Sequence, residues 1–241
     1  MHLLDLTLRT PAENLACDEA LLDAAETGAG GEILRFWESR DPFVVLGYSC
    51  RIDAEVNLDA CVAHSVPVLR RCSGGGTVVQ GPGCLNYTLI LRIPEHDSPL
   101  MNVTTTNAFI MKRHADALAH ACPAGKIEVR GISDLTMGDL KFSGNAQRRK
   151  HHYLLFHGTF LYSFDLNLVE QLLLPPPRQP DYRANRTHRT FLKNLPIMAG
   201  TIRAVLRSCW KPAGLLSHLP LKEIHELAAS RYTRPEWTCK F

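Results

Sequence analysis

Hydrophobic and polar positions along the chain switch repeatedly between a helical period and a strand period. Thr10-Pro11-Ala12-Glu13 predicts a helix start. Threonine caps it, proline takes the first helical position, and glutamate three residues after the cap closes a capping box. Gly28-Ala29-Gly30-Gly31 stops it. Ile33 to Trp37 and Phe43 to Gly47 read as strands, and Asp53 to His64 as a short helix with Val56, Ala60 and Ala63 on one face. Pro67 to Cys72, Gly76 to Gln80 and Asn86 to Ile93 are strand-like. Val103 to Ala121 carries a helical pattern that ends near Pro123. Strands follow at Lys126 to Arg130, Asp134 to Met137, Lys141 to Gln147 and Tyr153 to Tyr162, then short helices at Leu166 to Leu173, Gly200 to Cys209 and Leu221 to Tyr232. Strands in antiparallel-looking runs with helices between them predict an α+β fold, not a doubly wound parallel sheet.

Four prolines in Pro175-Pro176-Pro177-Arg178-Gln179-Pro180 break this periodicity. They can continue neither a helix nor a central strand, and read as a rigid surface crossing. The remainder after them is marginal for independent folding, so residues 1–241 are expected to form one domain. A net charge of +3 lacks the basic excess of a duplex-binding protein, so nucleic acid is not expected as a partner. No apolar run is long enough for a membrane helix, and the first ten residues do not read as a signal peptide. The expected compartment is the cytoplasm. Eight cysteines without a two-residue spacing argue against a zinc knuckle or a redox pair, leaving reduced and mostly buried thiols.

Candidate chemistry concentrates in three places. Arg70-Arg71-Cys72-Ser73-Gly74-Gly75-Gly76 places three glycines between strands, where bare N–H groups can form a concave anion site. Two arginines before them supply positive charge suited to phosphate or carboxylate. No Gly-Lys-Ser/Thr follows, and a strand rather than a helix comes next, which excludes Walker and dinucleotide-binding loops. Lys141-Phe142-Ser143-Gly144 puts a lysine at the opening of a strand, beside Ser143 and Gly144 that bring the backbone close to its ligand. His157-Gly158-Thr159 sets polar groups on an apolar strand, where they need partners or a ligand.

Arg70 to Gly76, Asn86-Tyr87, Asp134, Lys141 to Gln147 and His157 to Thr159 together resemble, in order and spacing, the lipoate–protein ligase A family of the biotin and lipoate ligase superfamily. Asn14 to Ala20 and Arg234 to Trp237 resemble further landmarks, so the likeness spans nearly the whole chain. It implies a mixed, largely antiparallel sheet flanked by helices, as in biotin protein ligases and class II aminoacyl-tRNA synthetases. It implies ATP-driven activation of lipoate to an acyl-adenylate, then transfer to a lysine of a lipoyl carrier domain of the glycine cleavage H protein or 2-oxoacid dehydrogenase E2 type. By the same resemblance Lys141 is catalytic. Arg71, Ser73, Gly74, Gly75, Gly76, Asn86, Ser143, Gly144, His157 and Thr159 bind substrate or adenylate, and Asp134 contacts Mg2+. Tyr87, Leu89 and Leu91 are a candidate wall for the acyl chain.

Long ligases of the family carry a C-terminal accessory domain absent from this sequence, which implies a separate accessory partner or a ready-made acyl-adenylate. A competing expectation is ATP-independent octanoyl or lipoyl transfer through a cysteine thioester. Relatives of that kind place the cysteine shortly before the lysine or beyond the His-Gly strand. Residues 126–140 and 163–208 contain none, which leaves Cys72, Cys84 and Cys122 near Arg71 or Lys141 as the thiols to test. A third expectation is a non-catalytic lipoate or biotin binding module. The charge set Arg71, Asp134 and Lys141 argues against it.

Overall fold

The computed structural model describes residues 1–241. Its main sheet has eight strands in the order β11-β1-β2-β6-β10-β9-β8-β7. These are β1 (His2–Asp5), β2 (Ile33–Trp37), β6 (Cys84–Arg92), β7 (Ile127–Arg130), β8 (Asp134–Met137), β9 (Leu140–Arg149), β10 (Tyr153–Leu161) and β11 (Gly214–Leu215). Within this sheet only the pairings of β1 with β2 and β11 are parallel. A second sheet, β4-β3-β5, is built from β3 (Phe43–Leu46), β4 (Val68–Arg70) and β5 (Val78–Gln80). The fold is therefore mixed α+β with a largely antiparallel sheet, as the sequence pattern predicts.

Register explains why β6 is buried on both faces. Leu34 and Phe36 of β2 lie opposite Leu89 and Tyr87, and Phe156 and Phe160 of β10 lie opposite Leu89 and Leu85. That face packs on Ile110, Met111 and Leu118 of α4 (Val103–Ala121) and on Ile202 and Leu206 of α7 (Ala199–Trp210). The opposite face packs Ile33, Trp37, Ile90 and Leu155 on α1 (Pro11–Glu26). Fully burying one such side chain contributes about 1.5–3 kcal/mol, so the alternation fixes the register firmly. Leu89 and Leu91 are core on the helix side, which corrects their reading as an acyl wall: only Tyr87 of that trio borders a cleft.

The α1 face of the sheet is interrupted by polar residues. Arg35, Thr88 and His157 pair across β2, β6 and β10, and Trp37, Asn86 and Thr159 form the adjacent row. The functional cleft opens over this stripe.

Local chemistry sets the helix ends. Thr10 and Glu13 make the expected capping box, and the helix stops at Glu26 before Gly28, whose φ is +81°. The helix expected over 53–64 is split into α2 (Ile52–Glu55) and α3 (Leu58–Ala63). Val56 bridges Leu173, the Asn57 amide donates to the Leu172 carbonyl, and the Asn57 side chain caps α3. Both distant partners lie at the end of α5 (Leu166–Leu172). The remaining helices are α6 (His188–Phe191), α8 (Leu221–Leu227) and α9 (Pro235–Thr238), with one π-helical turn at Ala228–Tyr232 after α8. Glu19, buried on α1, accepts from Arg231 (2.7 Å) and Tyr232 (2.8 Å) and so fastens this C-terminal region to the first helix.

Candidate active site

A cleft of about 790 Å³ lies between the two sheets and the crossing after α5. Arg71, Gly74, Gly75, Gly76, Asn86, Asp134, Lys141, Ser143, Gly144, His157 and Thr159 all line it. Ser73 stands just behind its surface, 1% exposed.

The glycine loop between β4 and β5 is held from three sides. Gly75 has φ +84°, which only glycine adopts readily. Gly47 makes the closest approach: a Cβ there would lie 1.8 Å from the Gly75 carbonyl oxygen. The Tyr48 amide donates to the Ser73 carbonyl (2.8 Å), and Cys50 Sγ donates to the Gly75 carbonyl (3.3 Å). Arg148 reaches the Cys72 carbonyl from β9 (2.8 Å), and Glu55 of α2 accepts from Thr77 Oγ1 (2.7 Å).

The two adjacent arginines have different tasks. Arg71 donates inward to the carbonyls of Gly74 (2.6 Å), Gly76 (2.9 Å) and Val45, and to Ser73 Oγ (3.1 Å). It shapes the loop while lining the cleft. Arg70 is fully buried and faces away from the loop's cavity. It donates to the carbonyls of Gly47, Tyr48 and Cys50 and to those of Trp237 and Thr238. The expectation that Arg70 offers charge to a ligand is thus corrected. Burial among main-chain carbonyls makes it a brace.

Behind the loop runs an array absent from the expected site. The Ser73 hydroxyl and His157 Nε2 are 2.6 Å apart, and His157 Nδ1 is 3.2 Å from Asp18 Oδ2. An ionised carboxylate only accepts, so Nδ1–H donates to Asp18, and Nε2 shares its hydrogen bond with the serine hydroxyl. Asp18 in turn pairs with buried Arg35 (2.6 Å). Burial pushes the Asp18 carboxyl up, but Arg35 and His157 outweigh it and hold the group below the ordinary carboxylate range. The array orients His157, an effect that local sequence around Asp18 does not reveal. Deeper in the stripe, Gln80 donates to Thr159 Oγ1 (3.1 Å), which donates to Asn86 Oδ1 (2.7 Å).

Lys141 sits near the start of β9, after a turn in which Gly138 has φ +61°. Its ammonium pairs with Asp134 Oδ1 (2.8 Å), and Tyr182 donates to Asp134 Oδ2 (2.7 Å). Gly144 leaves space for the lysine, since a Cβ there would stand 3.0 Å from Nζ. Asn145, unremarked in the sequence, accepts from Tyr87 OH (2.6 Å) and donates to the Ser133 carbonyl (2.6 Å). It ties the 131–133 turn to β9.

Both oxygens of Asp134 are therefore occupied by protein donors, and no group of three or more His, Cys, Asp or Glu is arranged to hold a metal ion. A carboxylate oxygen accepts more than one partner, so Asp134 keeps capacity for a magnesium ion that would be held mainly by substrate phosphates. The proline run also differs from a plain surface crossing: Pro176, Arg178, Gln179 and Pro180 form part of the cleft wall. No helix is long and apolar enough to cross a membrane.

The thiols lie elsewhere. Cys72, Cys84 and Cys122 are buried and none lines the cleft. Burial pushes the Cys72 thiol up to about 12 and raises Cys84 further still. A nucleophilic cysteine needs the opposite shift. Cys72 is close enough to Arg71 for their charges to interact, but all three thiols lie behind the cleft wall.

A mixed, largely antiparallel sheet carries the glycine loop and Lys141 into one cleft. The family model described as the lipoyl protein ligase A/B catalytic domain matches residues 10–203, and the chain belongs to that family. It is similar to a putative lipoate-protein ligase A of Aeropyrum pernix, 30% identical over 89% of this chain and 76% of that one. It is also similar to the octanoyltransferase LipM of Geobacillus kaustophilus, 25% identical over 95% of this chain and 94% of that one. Among solved structures, a putative lipoate protein ligase from T. acidophilum with bound lipoic acid superposes with a TM-score of 0.81 at 22% identity, covering 99% of this chain and 98% of that one. A bi-partite lipoate protein ligase from Thermoplasma acidophilum, studied with its E2 lipoyl domain, gives 0.81 at 21% identity over 99% and 96%. A lipoate-protein ligase A bound with ATP gives 0.80 at 22% identity over 99% of both chains.

Proposed function

We propose that this chain is the catalytic component of a lipoate–protein ligase. The observation that carries the reading is the shared cleft of the glycine loop and Lys141, with no thiol in its wall. The acyl tail lies against Leu15, Trp37, Val45 and Val79, one stretch of the apolar lining. Its carboxylate oxygen attacks the α-phosphorus of ATP, the bond to the β-phosphate breaks, and pyrophosphate leaves. The amine of a carrier lysine then attacks the acyl carbon, and AMP leaves with the electron pair of the mixed-anhydride bond.

Lys141 exchanges Asp134 for the acyl-phosphate oxygens and stabilises the charge that builds there. Gly74, Gly75 and Gly76 allow the backbone to approach the same group, and Arg71 keeps the Gly74 and Gly76 carbonyls turned inward. His157, Thr159, Asn86, Ser73, Ser143 and Gly144 complete the binding surface around it. Magnesium enters with the nucleotide as part of the substrate. The acceptor is a lipoyl domain of the E2 or H-protein type, and the bi-partite neighbour supports an accessory partner for adenylation. A cytoplasmic setting suits these substrates.

A second reading, octanoyl transfer without ATP, is favoured by the LipM relative that matches nearly end to end. It requires a thiolate, and the burial of Cys72, Cys84 and Cys122 weighs against it. One experiment separates the two. The protein is incubated with an apo lipoyl domain and either lipoate, ATP and magnesium, or octanoyl carrier protein alone, and the carrier is read by intact mass. The ligase modifies its carrier in the first mixture. Modification in the second mixture alone would overturn the proposal.

A further inference from the structure

Four arginines are more than nine-tenths buried: Arg35, Arg70, Arg71 and Arg183. In the first three, both terminal nitrogens donate to protein oxygens. Arg183 differs. Only its Nε is used, donating to the Arg186 carbonyl at 3.0 Å. Its guanidinium carbon stacks 4.8 Å from the Phe191 ring centre, which holds the plane of the group. The two Nη atoms have no protein acceptor and no carboxylate within salt-bridge distance. A planar cation that is 6% exposed and lines a cleft with its paired donors unused is a built receptor for an anion.

Its surroundings connect it to the reacting end of the cleft. The neighbouring Tyr182 donates to Asp134, the partner of Lys141. From the other side, the Lys193 amide donates to the Lys141 carbonyl (3.0 Å), and Leu192 bridges Lys141 directly after α6. His188, the first residue of α6, is buried enough that its basicity falls, and Arg183 and Lys141 both lower it further. Arg178 lines the same cleft. The acyl carboxylate and α-phosphate are already provided for by the glycine loop and Lys141. The anion left without a receptor is the far end of the nucleotide.

We propose that Arg183 binds the β- and γ-phosphates of ATP and stabilises them as the pyrophosphate leaving group. The assignment rests on the adenylation reading above. As the carboxylate oxygen bonds to the α-phosphorus, the α–β P–O bond breaks and its electron pair departs with pyrophosphate. The two Nη donors of Arg183 meet that growing charge in a partly dry site, where charge-assisted hydrogen bonds are strongest. Lys141 acts at the other end of the same breaking bond.

The test uses the full chain, Arg183→Gln and Arg183→Lys. Binding of inorganic pyrophosphate is measured by calorimetry. Transfer of lipoyl from synthetic lipoyl-adenylate to an apo lipoyl domain is measured separately. Arg183→Gln should weaken pyrophosphate binding about ten- to hundred-fold, the span expected for lost charge-assisted hydrogen bonds. Arg183→Lys, which keeps charge without the fork, should fall between it and wild type. Transfer from the ready-made adenylate should stay within about two-fold in both variants, because no pyrophosphate takes part. Unchanged pyrophosphate binding in Arg183→Gln would overturn the proposal, as would loss of adenylate transfer equal to the loss of binding. If pyrophosphate binding depends on Arg183 but wild type forms no adenylate from ATP, even with its accessory partner, the anion site stands and the adenylation reading falls.

Discussion

Replacing Arg70 by alanine should unfasten the C-terminal segment from the glycine loop. The side chain spans two stretches far apart in sequence, donating to the carbonyls of Gly47, Tyr48 and Cys50 on one side and of Trp237 and Thr238 on the other. The Trp237 indole returns a hydrogen bond to the Arg70 carbonyl at 2.8 Å. Truncation leaves five carbonyl oxygens without this donor. An unsatisfied buried acceptor costs about 1–3 kcal/mol, and water entering beside the chain end relieves part of the sum, so the net loss should be about 3–5 kcal/mol. For a chain of this size that lowers Tm by on the order of 10 °C. The 47–50 turn abuts Gly75, so KM for the acyl substrate should rise as well. Arg70→Lys should recover little, because one ammonium cannot span both stretches. Thermal unfolding followed by limited proteolysis of the C-terminal segment reads the effect. A Tm within about 2 °C of wild type, with unchanged cleavage, would refute the reasoning.

Gly75→Val forces a β-branched residue to φ +84° and puts its Cβ 2.9 Å from Arg71 Nη2, so binding of a lipoyl-adenylate analogue should be lost, as measured by calorimetry. Lys141→Ala should lower turnover by about 10²–10³ with little change in Tm, since the lysine is 24% exposed and leaves no core cavity. Cys72, Cys84 and Cys122 replaced by alanine one at a time should keep kcat within a few-fold, whereas loss by orders of magnitude in one of them would assign a thiol nucleophile. Asp18 is held below the ordinary carboxylate range when folded, so its contribution to stability is present above about pH 4 and lost as pH falls through the depressed value. Asp18→Asn should therefore flatten the acid limb of a Tm–pH curve, and an unchanged limb would count against the Asp18–Arg35–His157 account.

Elements with strong local punctuation were legible from the sequence. The capping box at Thr10 and the helix over Val103–Ala121 match the structure to the residue. What escaped depends on distant partners. Nothing local marks the break at Val56-Asn57, which is made by hydrogen bonding to the end of α5. The strand β1 is short, and its partner β11 has only two residues. Arg70 and Arg71 are chemically identical neighbours, but Arg70 ends β4 and turns to the C-terminal carbonyls, whereas Arg71 lies just past the strand and turns into the loop. Asp18 looks like any acid on a helix, but it falls on an apolar face beside Leu15, Cys17 and Leu22. Arg35 interrupts the apolar run Ile33 to Trp37. A charge in each of two buried elements was the available signal that they pair. The glycines and Lys141 were visible because close backbone approach and an isolated strand lysine are local properties. Arg183 was hidden, since its two unused donors show only once the partners of every buried arginine are known.

The central claim is that the acyl group is activated as a non-covalent adenylate beside Lys141, not as a thioester on the enzyme. It is tested most directly by trapping the intermediate. Enzyme, with its accessory partner where adenylation needs one, is mixed with lipoate, ATP and magnesium without carrier, then denatured, and protein and small molecules are analysed separately by mass spectrometry. The account predicts unmodified protein and lipoyl-adenylate in the released fraction, lost in Lys141→Ala. An acyl group retained on a cysteine of the denatured protein, in this mixture or in a parallel one that supplies octanoyl carrier protein and no ATP, would contradict it.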